Sequence, residues 1–289
     1  MIEVILFHVI GIGGIFVVGV SWPAVLAAVV PGYLGVLVVY VGYHRYLAHR
    51  AFKTSRWFQF VLAFSGCANL IYPARAWVEI HRRHHRDSDT DADIHSPKDK
   101  GFWYGQLFWM KDFDYFALTY ENTRDMQPYP ELLFISKYFF IPPLVYGLFM
   151  AGVGYVGAGS FGLEPHIAVG QFIIWGFFVR WMITAHLVFL AVSAVHMPWL
   201  GTRPYDTGDN SGNSLLVALL TGGEGWHNNH HRYPASANLG FVRGQIDICF
   251  YIIKALAWLG LVWDVRIAPE DLVREGYEEH SAGQAGGVA

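Results

Sequence analysis

The chain has 289 residues, of which 54% are hydrophobic and only 15% charged, and its mean hydropathy is +0.30. It is more apolar than a soluble domain of this size normally is, so the composition favours a membrane protein. A net charge of -3 gives no basic surface for nucleic acid. Two cysteines exclude a disulfide framework and show no zinc-binding spacing.

Four apolar stretches are each long enough to cross the hydrocarbon core of a membrane, about 30 Å thick, as a helix. They are residues 2–20, 24–43, 134–157 and 168–195. Pro142 and Pro143 should kink the third of these spans. A shorter apolar stretch, 57–72, contains polar residues and is expected to lie at the membrane interface.

Basic residues set the expected orientation of the spans. Arg45, Arg50, Lys53 and Arg56 follow the second span with no acidic residue before Glu79. The positive-inside rule places such a segment in the cytoplasm, and both termini are then cytoplasmic. We expect an integral, multi-pass protein of a bacterial inner membrane.

The four spans divide the chain into five segments. These are transmembrane helices 1 and 2 (1–43), a first cytoplasmic part (44–133), transmembrane helices 3 and 4 (134–195), a second cytoplasmic part (196–278) and a flexible tail (279–289). The tail is rich in small and polar residues, which is typical of segments that do not bury enough apolar surface to fold.

Three histidine clusters lie in the cytoplasmic parts, and ordinary core packing explains none of them. The first cluster is His44 and His49, the second is His81, His84 and His85, and the third is His227, His230 and His231. Residues at i, i+3 and i+4 share a helix face, so the second and third clusters can each aim three imidazoles at one point. His44 and His49 would not converge on a regular helix, so we expect the chain to break before His49.

Eight clustered imidazoles exceed the four ligands of a closed zinc site, and they indicate two metal ions. Imidazole suits zinc, copper, nickel and iron, so ligand type alone does not select the metal. Ligating histidines commonly donate their second ring nitrogen to a carboxylate. The acidic residues near enough in sequence are Glu79, Asp87, Asp89, Asp91, Asp93 and Glu224.

The motifs around these clusters resemble those of a known family. "HRYLAHRAF", "HRRHHRDSDTDADIHSPKDKGFWYGQLFW", "TRPYD" and "GEGWHNNHHRYP" are similar to motifs of the membrane-bound fatty acyl desaturases, and specifically of the stearoyl-CoA (delta-9 acyl-CoA) desaturase branch. The resemblance covers about residues 25 to 275. Its most specific mark is the four residues within the first cluster, where acyl-lipid desaturases and hydroxylases typically have three.

This resemblance implies an all-α membrane protein in which four transmembrane helices lie under a cytosolic helical cap, giving a mushroom shape. The cap carries a histidine-only di-iron site. The resemblance adds His196 as a ninth ligand to the eight clustered histidines. Family members have an asparagine that holds a water on one iron, and this chain has Val192 there, which puts that water ligand in doubt.

The implied reaction is oxygen-dependent desaturation of a long-chain fatty acyl group, with a cis double bond at delta-9. Two iron ions, with O2 as co-substrate, would supply an oxidant that no protein side chain provides. No haem-binding or flavin-binding segment is recognised in the sequence. We therefore expect electrons from a separate carrier with its reductase, the carrier being a b-type cytochrome, a ferredoxin or a rubredoxin.

The carrier of the acyl group stays open. Relatives have an arginine that contacts coenzyme A two positions before the second cluster, and this chain has Glu79 at that position. An acyl-CoA, an acyl carrier protein and a membrane lipid therefore all remain as acyl donors.

An acyl tunnel follows from the same resemblance. Small residues of the second span should close its far end, with close helix packing as the alternative explanation. Polar groups within a span are functional candidates, so Arg180 and His186 either line the tunnel or pair with each other. The tunnel candidates are Ala28, Gly32, Gly35, Trp77, Arg180, His186, Phe189, Val192 and Trp226. His186 is ten residues from His196, about 15 Å along a helix, so we expect the two not to share an ion.

Two alternative functions remain at this point. A fatty acyl hydroxylase or acetylenase on the same scaffold would use the same irons and differ in the second step of the reaction. A histidine-rich metal transporter or sensor belongs to a different class. Transport sites lie within the spans near the midplane, whereas these clusters lie outside the spans.

Overall fold

The structure, a computed structural model, describes residues 1–285 of the chain. Its α-helices are α1 (Ile2–Val18), α2 (Trp22–Val38), α3 (Arg56–Cys67), α4 (Ala74–Asp87), α5 (Trp109–Asp112), α6 (Pro130–Lys137), α7 (Ile141–Gly157), α8 (Pro165–Ile173), α9 (Arg180–Ser193), α10 (Leu215–Thr221), α11 (His227–Arg232), α12 (Ile248–Trp258) and α13 (Glu270–Ala285). π-Helical segments cover Val39–Ala48, Tyr104–Phe108 and Ile174–Val179, and 3₁₀ helices cover Tyr115–Ala117 and Glu121–Met126. Two short strands, β1 (Lys53–Thr54) and β2 (Val262–Trp263), pair antiparallel. The described chain is therefore mostly helical, as predicted.

Two continuous helices in the described residues are long and apolar enough to cross a membrane, Trp22–Ala48 and Pro165–Ser193. They coincide with the second and fourth predicted spans. The pair α6 and α7 passes the same test only as one bent span, because the two helices are inclined by 66° at the break between them. α1 is apolar but has only 17 residues, so the first predicted span lies in a shorter helix.

The bend in the third apolar region lies just before the two prolines that were expected to cause it. Pro142 and Pro143 occupy the first turn of α7, where they are buried. Proline is well suited to a first turn because its missing N–H has no partner to lose there. The prolines therefore begin a new helix after the break instead of kinking a continuous one.

The described residues form two compact units. Unit 1 comprises Met1–Val39, Phe60–Glu79 and Asp114–Val188, and unit 2 comprises Tyr40–Gln59, Ile80–Phe113 and the chain from Phe189 onward. Residues 60–79 and 114–133 lie in unit 1, although the sequence analysis assigned them to the first cytoplasmic part. A contact inside unit 1 helps to hold them there, since the Arg75 backbone N–H donates to Ser136 Oγ at 3.1 Å.

Small residues let two helices of unit 1 approach closely. Thr184 Oγ1 donates to the Gly32 carbonyl at 2.9 Å. A Cβ added at Gly32 would lie 3.0 Å from Ile183 Cγ2, and one added at Gly35 would lie 2.9 Å from Thr184 Oγ1 and overlap the side-chain oxygen of Asn69. Contacts this close are typical of tightly packed helices, which was the alternative explanation for small residues in the second span.

The two polar residues predicted within the fourth span each have a different partner in unit 1. Arg180 is buried, its Nη1 donates to Asn69 Oδ1 at 2.6 Å, and its guanidinium lies 4.4 Å from the centroid of the Tyr146 ring. His186 Nε2 lies 2.9 Å from His8 Nε2 on α1. Each therefore has a partner in unit 1 other than the second polar residue of this span, so pairing of Arg180 with His186, one of the two expectations, is not what these contacts show.

We expect Gly35→Ala to destabilise the protein by about 1–3 kcal/mol, because the added methyl group would overlap Asn69, which Arg180 already holds in place. The measurement is the thermal unfolding temperature of the detergent-solubilised protein. Gly13→Ala is the matched control, since Gly13 lies in the apolar helix α1 and an added Cβ meets nothing within 4 Å. Equal unfolding temperatures for Gly35→Ala and wild type would contradict the packing explanation.

The C-terminal helix continues past residue 278, after which the flexible tail was predicted to begin. α13 runs from Glu270 to Ala285 and so includes residues 279–285, which the sequence analysis assigned to the flexible tail. Residues 286–289 of that tail lie outside the described residues.

Candidate metal centre

The first histidine cluster lies at the end of the π-helical continuation of α2. The His49 backbone N–H donates to the His44 carbonyl at 3.1 Å, and the two ring centroids are 4.8 Å apart. A hydrogen bond across five residues defines a π-helix, whose wider turn brings residues five apart onto one face. The predicted break of the chain before His49 is therefore wrong, because a change of helix type achieves the same convergence.

The second and third clusters lie on α4 and α11, and each divides its imidazoles between two groups. In each cluster, two histidines four residues apart face one group and the remaining histidine faces the other. The prediction that each cluster aims three imidazoles at one point is wrong. Adjacent residues on an α-helix are about 100° apart, so His84 and His85, or His230 and His231, point to different sides.

Five imidazoles form the first group. Its members are His44, His49, His81, His85 and His230, and their ligand nitrogens all lie within 4.8 Å of one another. The Nε2 atoms of His49 and His81 are 2.7 Å apart, and those of His85 and His230 are 2.9 Å apart. All five residues belong to unit 2. The five-imidazole group thus collects side chains from all three clusters.

Four imidazoles form the second group, also within unit 2. Its members are His84, His196, His227 and His231, under the same 4.8 Å limit. His196, which only the family resemblance had indicated, is fully buried just after α9, and its Nε2 lies 3.0 Å from His227 Nε2. The nine histidines predicted as ligands are therefore the nine that these two groups contain.

Carboxylates hold the outer ring nitrogen in each group. In the four-imidazole group, Nδ1 of His84, His196 and His231 contacts Asp93, Asp89 and Asp209 at 2.9, 2.9 and 2.5 Å. In the five-imidazole group, His44 Nδ1 lies 2.7 Å from Glu224 Oε2. Such outer partners fix the tautomer of a ligating histidine and turn its Nε2 lone pair inward.

Three of the six acidic residues proposed for this role contact a histidine of the groups, namely Asp89, Asp93 and Glu224. The other three were Glu79, Asp87 and Asp91. Glu79 accepts from Asn122 at 2.7 Å, Asp87 accepts from Arg86 at 2.6 Å, and Asp91 is exposed. Asp209 was not predicted, and its only sequence signal is its place in the loop that follows "TRPYD".

Burial keeps most of these imidazoles neutral. Burial first, and then neighbouring imidazoles and other cationic groups, lowers the pKa of His49, His81, His85, His227 and His230 well below its ordinary value. Burial also lowers the pKa of His84 to about 3, although Asp93 opposes the shift. Neutral imidazoles are the form that binds metal ions, so these six histidines are in that form at neutral pH.

The carboxylates that face the four-imidazole group are ionised. Burial alone would raise the pKa of Asp93 and of Asp209, but contacts with His84 and His231 hold each pKa well below its ordinary value. Each of these carboxylates can therefore accept the Nδ1 proton of its histidine. The negative charge also favours a cation on the other side of the ring.

The donor set fits a bound transition-metal ion. His84 Nε2 and His231 Nε2 are buried and have no hydrogen-bond partner among the described residues. An unpaired buried polar atom costs about 1–3 kcal/mol, and convergent lone pairs also repel one another. A cation at the centre of each group would remove both penalties, and several imidazoles suit iron as well as zinc, copper and nickel.

A buried arginine connects the first cluster to the loop before the third. Arg45 is 1% exposed, and its Nη2 lies 2.9 Å from Glu224 Oε1 while its Nη1 lies 2.9 Å from Asp247 Oδ1. Because Glu224 also contacts His44, the order of contacts is Asp247, Arg45, Glu224, His44. Neither Asp247 nor this role of Arg45 was predicted from the sequence, where Arg45 served only as a topology signal.

The remaining tunnel candidates are all buried or half-buried. Phe189 is buried with its ring centroid 6.3 Å from that of Trp109, and Trp226 packs with Ala218 and Leu239. Val192 and Trp77 are half-buried, and Ala28 is fully buried. The contacts of Phe189 and Trp226 are those of ordinary core packing.

We expect Asp209→Asn to weaken metal binding about 10–100-fold, because an amide cannot balance the charge or fix the tautomer of His231 as the carboxylate does. The measurement is competition between the protein and a chelator for iron(II). Asp206→Asn is the matched control, since Asp206 is exposed in the same loop and contacts the Gly208 backbone N–H. The expectation fails if the two variants bind iron(II) equally well.

Long apolar helices together with two groups of converging imidazoles are typical of histidine-rich helical membrane proteins. Residues 20–261 match the family model described as fatty acid desaturase. The chain therefore belongs to the fatty acid desaturase family and is a fatty acyl desaturase enzyme. This confirms the resemblance inferred from the motifs.

Three relatives of this chain differ from one another in the acyl substrate or reaction for which they are named. It is 35% identical over 274 residues to the acyl-CoA C20 Δ5-desaturase of Anemone leveillei, an alignment of 91% of this chain and 82% of the relative. It is 34% identical to the sn-1 stearoyl-lipid 9-desaturase of Anabaena variabilis, over 86% of each chain. It is 35% identical to the hex-5-enoyl-[acyl-carrier protein] acetylenase of Moorena producens, over 83% of this chain and 76% of the relative.

Proposed function

We propose that the protein is an oxygen-dependent desaturase that introduces a cis double bond, at delta-9, into a long-chain fatty acyl group. The two histidine groups carry the proposal, because five and four imidazoles converge on separate points within one unit of a chain from the desaturase family. We propose the nine histidines as the only protein ligands of two iron ions.

Iron bound in the two groups would activate O2, with electrons from the separate carrier. It would thereby supply the oxidising power needed to remove hydrogen from an unactivated methylene pair. The protein side chains prepare that site. Asp89, Asp93 and Asp209 hold the outer ring nitrogens, so the inward nitrogens keep their lone pairs. Burial excludes water, which would otherwise compete for the same ligand positions and quench reactive oxygen chemistry.

The acyl carrier and the electron donor are part of the proposal. Relatives named for acyl-CoA, lipid-linked and carrier-protein-linked substrates are about equally similar to this chain. Glu79, which stands where the family arginine would contact coenzyme A, binds Asn122 in unit 1. An acyl-CoA, an acyl carrier protein or an acyl lipid would each suffice. Electrons would come from a b-type cytochrome, a ferredoxin or a rubredoxin.

We further propose the predicted topology of four transmembrane helices under a cytosolic cap, with both termini cytoplasmic in a bacterial inner membrane. The two long apolar helices and the bent pair α6 and α7 support three of these spans. The short helix α1 would be the fourth. The basic residues after the second span support a cytoplasmic position for the histidine groups.

The test is expression with a ferredoxin or cytochrome reductase system, followed by mass spectrometry of the cellular lipids and metal analysis of the purified protein. We expect a new monounsaturated acyl chain that depends on O2, and two iron ions per chain in protein produced with added iron. Zinc could replace iron during overexpression, because neutral imidazoles bind both. Iron-loaded protein with at most one ion per chain would overturn the di-iron proposal.

An acetylenase is the second candidate, and the similarity to the Moorena producens acetylenase favours it specifically. An acetylenase would remove two further hydrogens from an existing double bond. Supplying a monounsaturated acyl chain and searching the products for a triple bond distinguishes the two activities, and a search for hydroxylated chains in the same samples tests the hydroxylase alternative. Membership in an enzyme family argues against the metal transporter or sensor.

A further inference from the structure

The hydroxyl group of Tyr277, on α13, is part of a hydrogen-bond network that holds the third histidine cluster. It donates to Asn229 Oδ1 at 2.7 Å and accepts from Gln245 Nε2 at 2.7 Å and from Asn213 Nδ2 at 3.2 Å. A tyrosine hydroxyl has one donor and two acceptor positions, so its capacity is complete. All four residues lie in unit 2.

Asn229 stands between the ligand candidates His227 and His230 on α11 and is fully buried. Its Oδ1 accepts from Tyr277 and from Asn213 at 2.8 Å, and its Nδ2 donates to the Leu239 carbonyl at 2.8 Å and to Gln245 at 3.0 Å. α11 has only six residues, and so short a helix has little stability of its own. External hydrogen bonds therefore fix its orientation, and with it the direction of its imidazoles.

The helix that supplies this hydroxyl group lies outside the matched family region, which ends at residue 261. Two further contacts hold α13 against the rest of unit 2. Tyr205 OH donates to the Leu272 carbonyl at 3.1 Å, and the Tyr205 ring lies so close to Gly276 that an added Cβ would overlap it. The segment that follows the family domain is thus in contact with the part of the chain that carries the third cluster.

We propose that Tyr277 is a positioning residue for the metal centre, and that α13 orients His227, His230 and His231 through Asn229. The proposal rests on the proposed iron sites and goes beyond them, because it assigns a role to a helix that the family match does not include. The Tyr277 hydroxyl group bonds to Asn229, Gln245 and Asn213, which are not proposed ligands. It acts through the amide group of Asn229.

The test compares Tyr277→Phe with wild type in the full-length, iron-loaded protein. We expect iron(II) affinity to fall about 10-fold, the lower end of the range for groups that support ligating histidines. We also expect X-ray absorption to show fewer nitrogen ligands per iron, or a wider spread of iron–nitrogen distances. Loss of packing elsewhere would lower the unfolding temperature without changing the iron spectrum, so the spectrum separates positioning from general stability.

A second variant displaces α13 and keeps the hydroxyl group. Gly276→Ala should press the helix away from the Tyr205 ring and change the iron spectrum in the same direction as Tyr277→Phe. Tyr251→Phe is the matched control, since Tyr251 is 56% exposed on α12. Asp271→Asn, at an exposed position in the first turn of α13 itself, is a second control.

Wild-type spectra and iron affinity in both Tyr277→Phe and Gly276→Ala would overturn the proposal, as would equal changes in the controls. The proposed function fails separately, because its failure would appear as wild-type protein that binds no iron or forms no desaturated product. A wild-type protein with two irons and an unaltered Tyr277→Phe spectrum would therefore count against the role of α13 alone.

Discussion

His84→Ala is expected to abolish desaturation and to reduce the iron content from two ions per chain to one. His84 is one of only four imidazoles in its group, and its removal leaves three, fewer than a closed site requires. It also leaves Asp93 buried without its main partner. The measurements are the metal content of purified protein and the fatty acid profile of cells that express the variant, with membrane extraction confirming that the chain is still inserted.

Two other histidines provide controls for this experiment. His166→Ala should leave both metal content and products unchanged, since His166 is exposed at the start of α8. His186→Ala should retain both ions, because His186 contacts His8 in unit 1 and belongs to neither imidazole group. Loss of an ion from His186→Ala would show that the assignment of ligands is incomplete. Two ions in His84→Ala would remove His84 from the metal centre.

Arg45→Met should destabilise the protein by about 3–5 kcal/mol, because it breaks a buried pair from one side and leaves Glu224 and Asp247 without their cation. Methionine is apolar and flexible enough to fill most of the space, so the loss reflects charge more than volume. The measurement is the unfolding temperature of metal-free protein, which separates this effect from the loss of iron. Arg86→Met is the control, since the Arg86 pair with Asp87 is partly exposed on the surface.

The loss of stability in Arg45→Met should also depend on pH. In the wild type, burial alone would raise the pKa of Glu224, but His44 and Arg45 lower it, so this carboxylate stabilises the fold above its unfolded pKa and less as the pH falls. Burial already raises the pKa of Asp247 in the wild type although Arg45 lowers it, and removing Arg45 raises the folded-state pKa of both carboxylates. The variant therefore loses stability as pH rises through these pKa values, and its deficit relative to wild type should grow from acidic to neutral pH. A deficit that does not change with pH would contradict the electrostatic explanation.

The sequence predicted the helical class, the apolar regions and the histidine clusters that supply the two imidazole groups, because each leaves a local pattern. Apolar length identifies a span, and closely spaced imidazoles identify a cluster. His196 is isolated in sequence, and only the family resemblance indicated it. The division of each cluster between two groups was missed because a shared helix face was taken as a single direction, although neighbouring positions diverge by about 100°.

The supporting carboxylates were harder to predict, because proximity in sequence is a poor guide to contact in space. Asp93 lies nine residues from His84 and was found, whereas Asp209 lies 22 residues from His231 and was missed. Asp247 is 202 residues from Arg45. Nothing in the local pattern around Asp247 points to an arginine in the π-helix, and only the packing of unit 2 brings the two together.

The π-helix at the end of α2 also bears on how the length of the first cluster can vary. Adding one residue between two ligands on an α-helix rotates the second by about 100° and carries it away from its ion. When the added residue is taken up by hydrogen bonds across five residues instead of four, the second ligand returns to the original face. His44 and His49, with four residues between them, can therefore occupy the same metal-facing positions as two histidines separated by three. An insertion that would disable a site on a rigid α-helix is accommodated here by the wider turns of the π-helical segment Val39–Ala48.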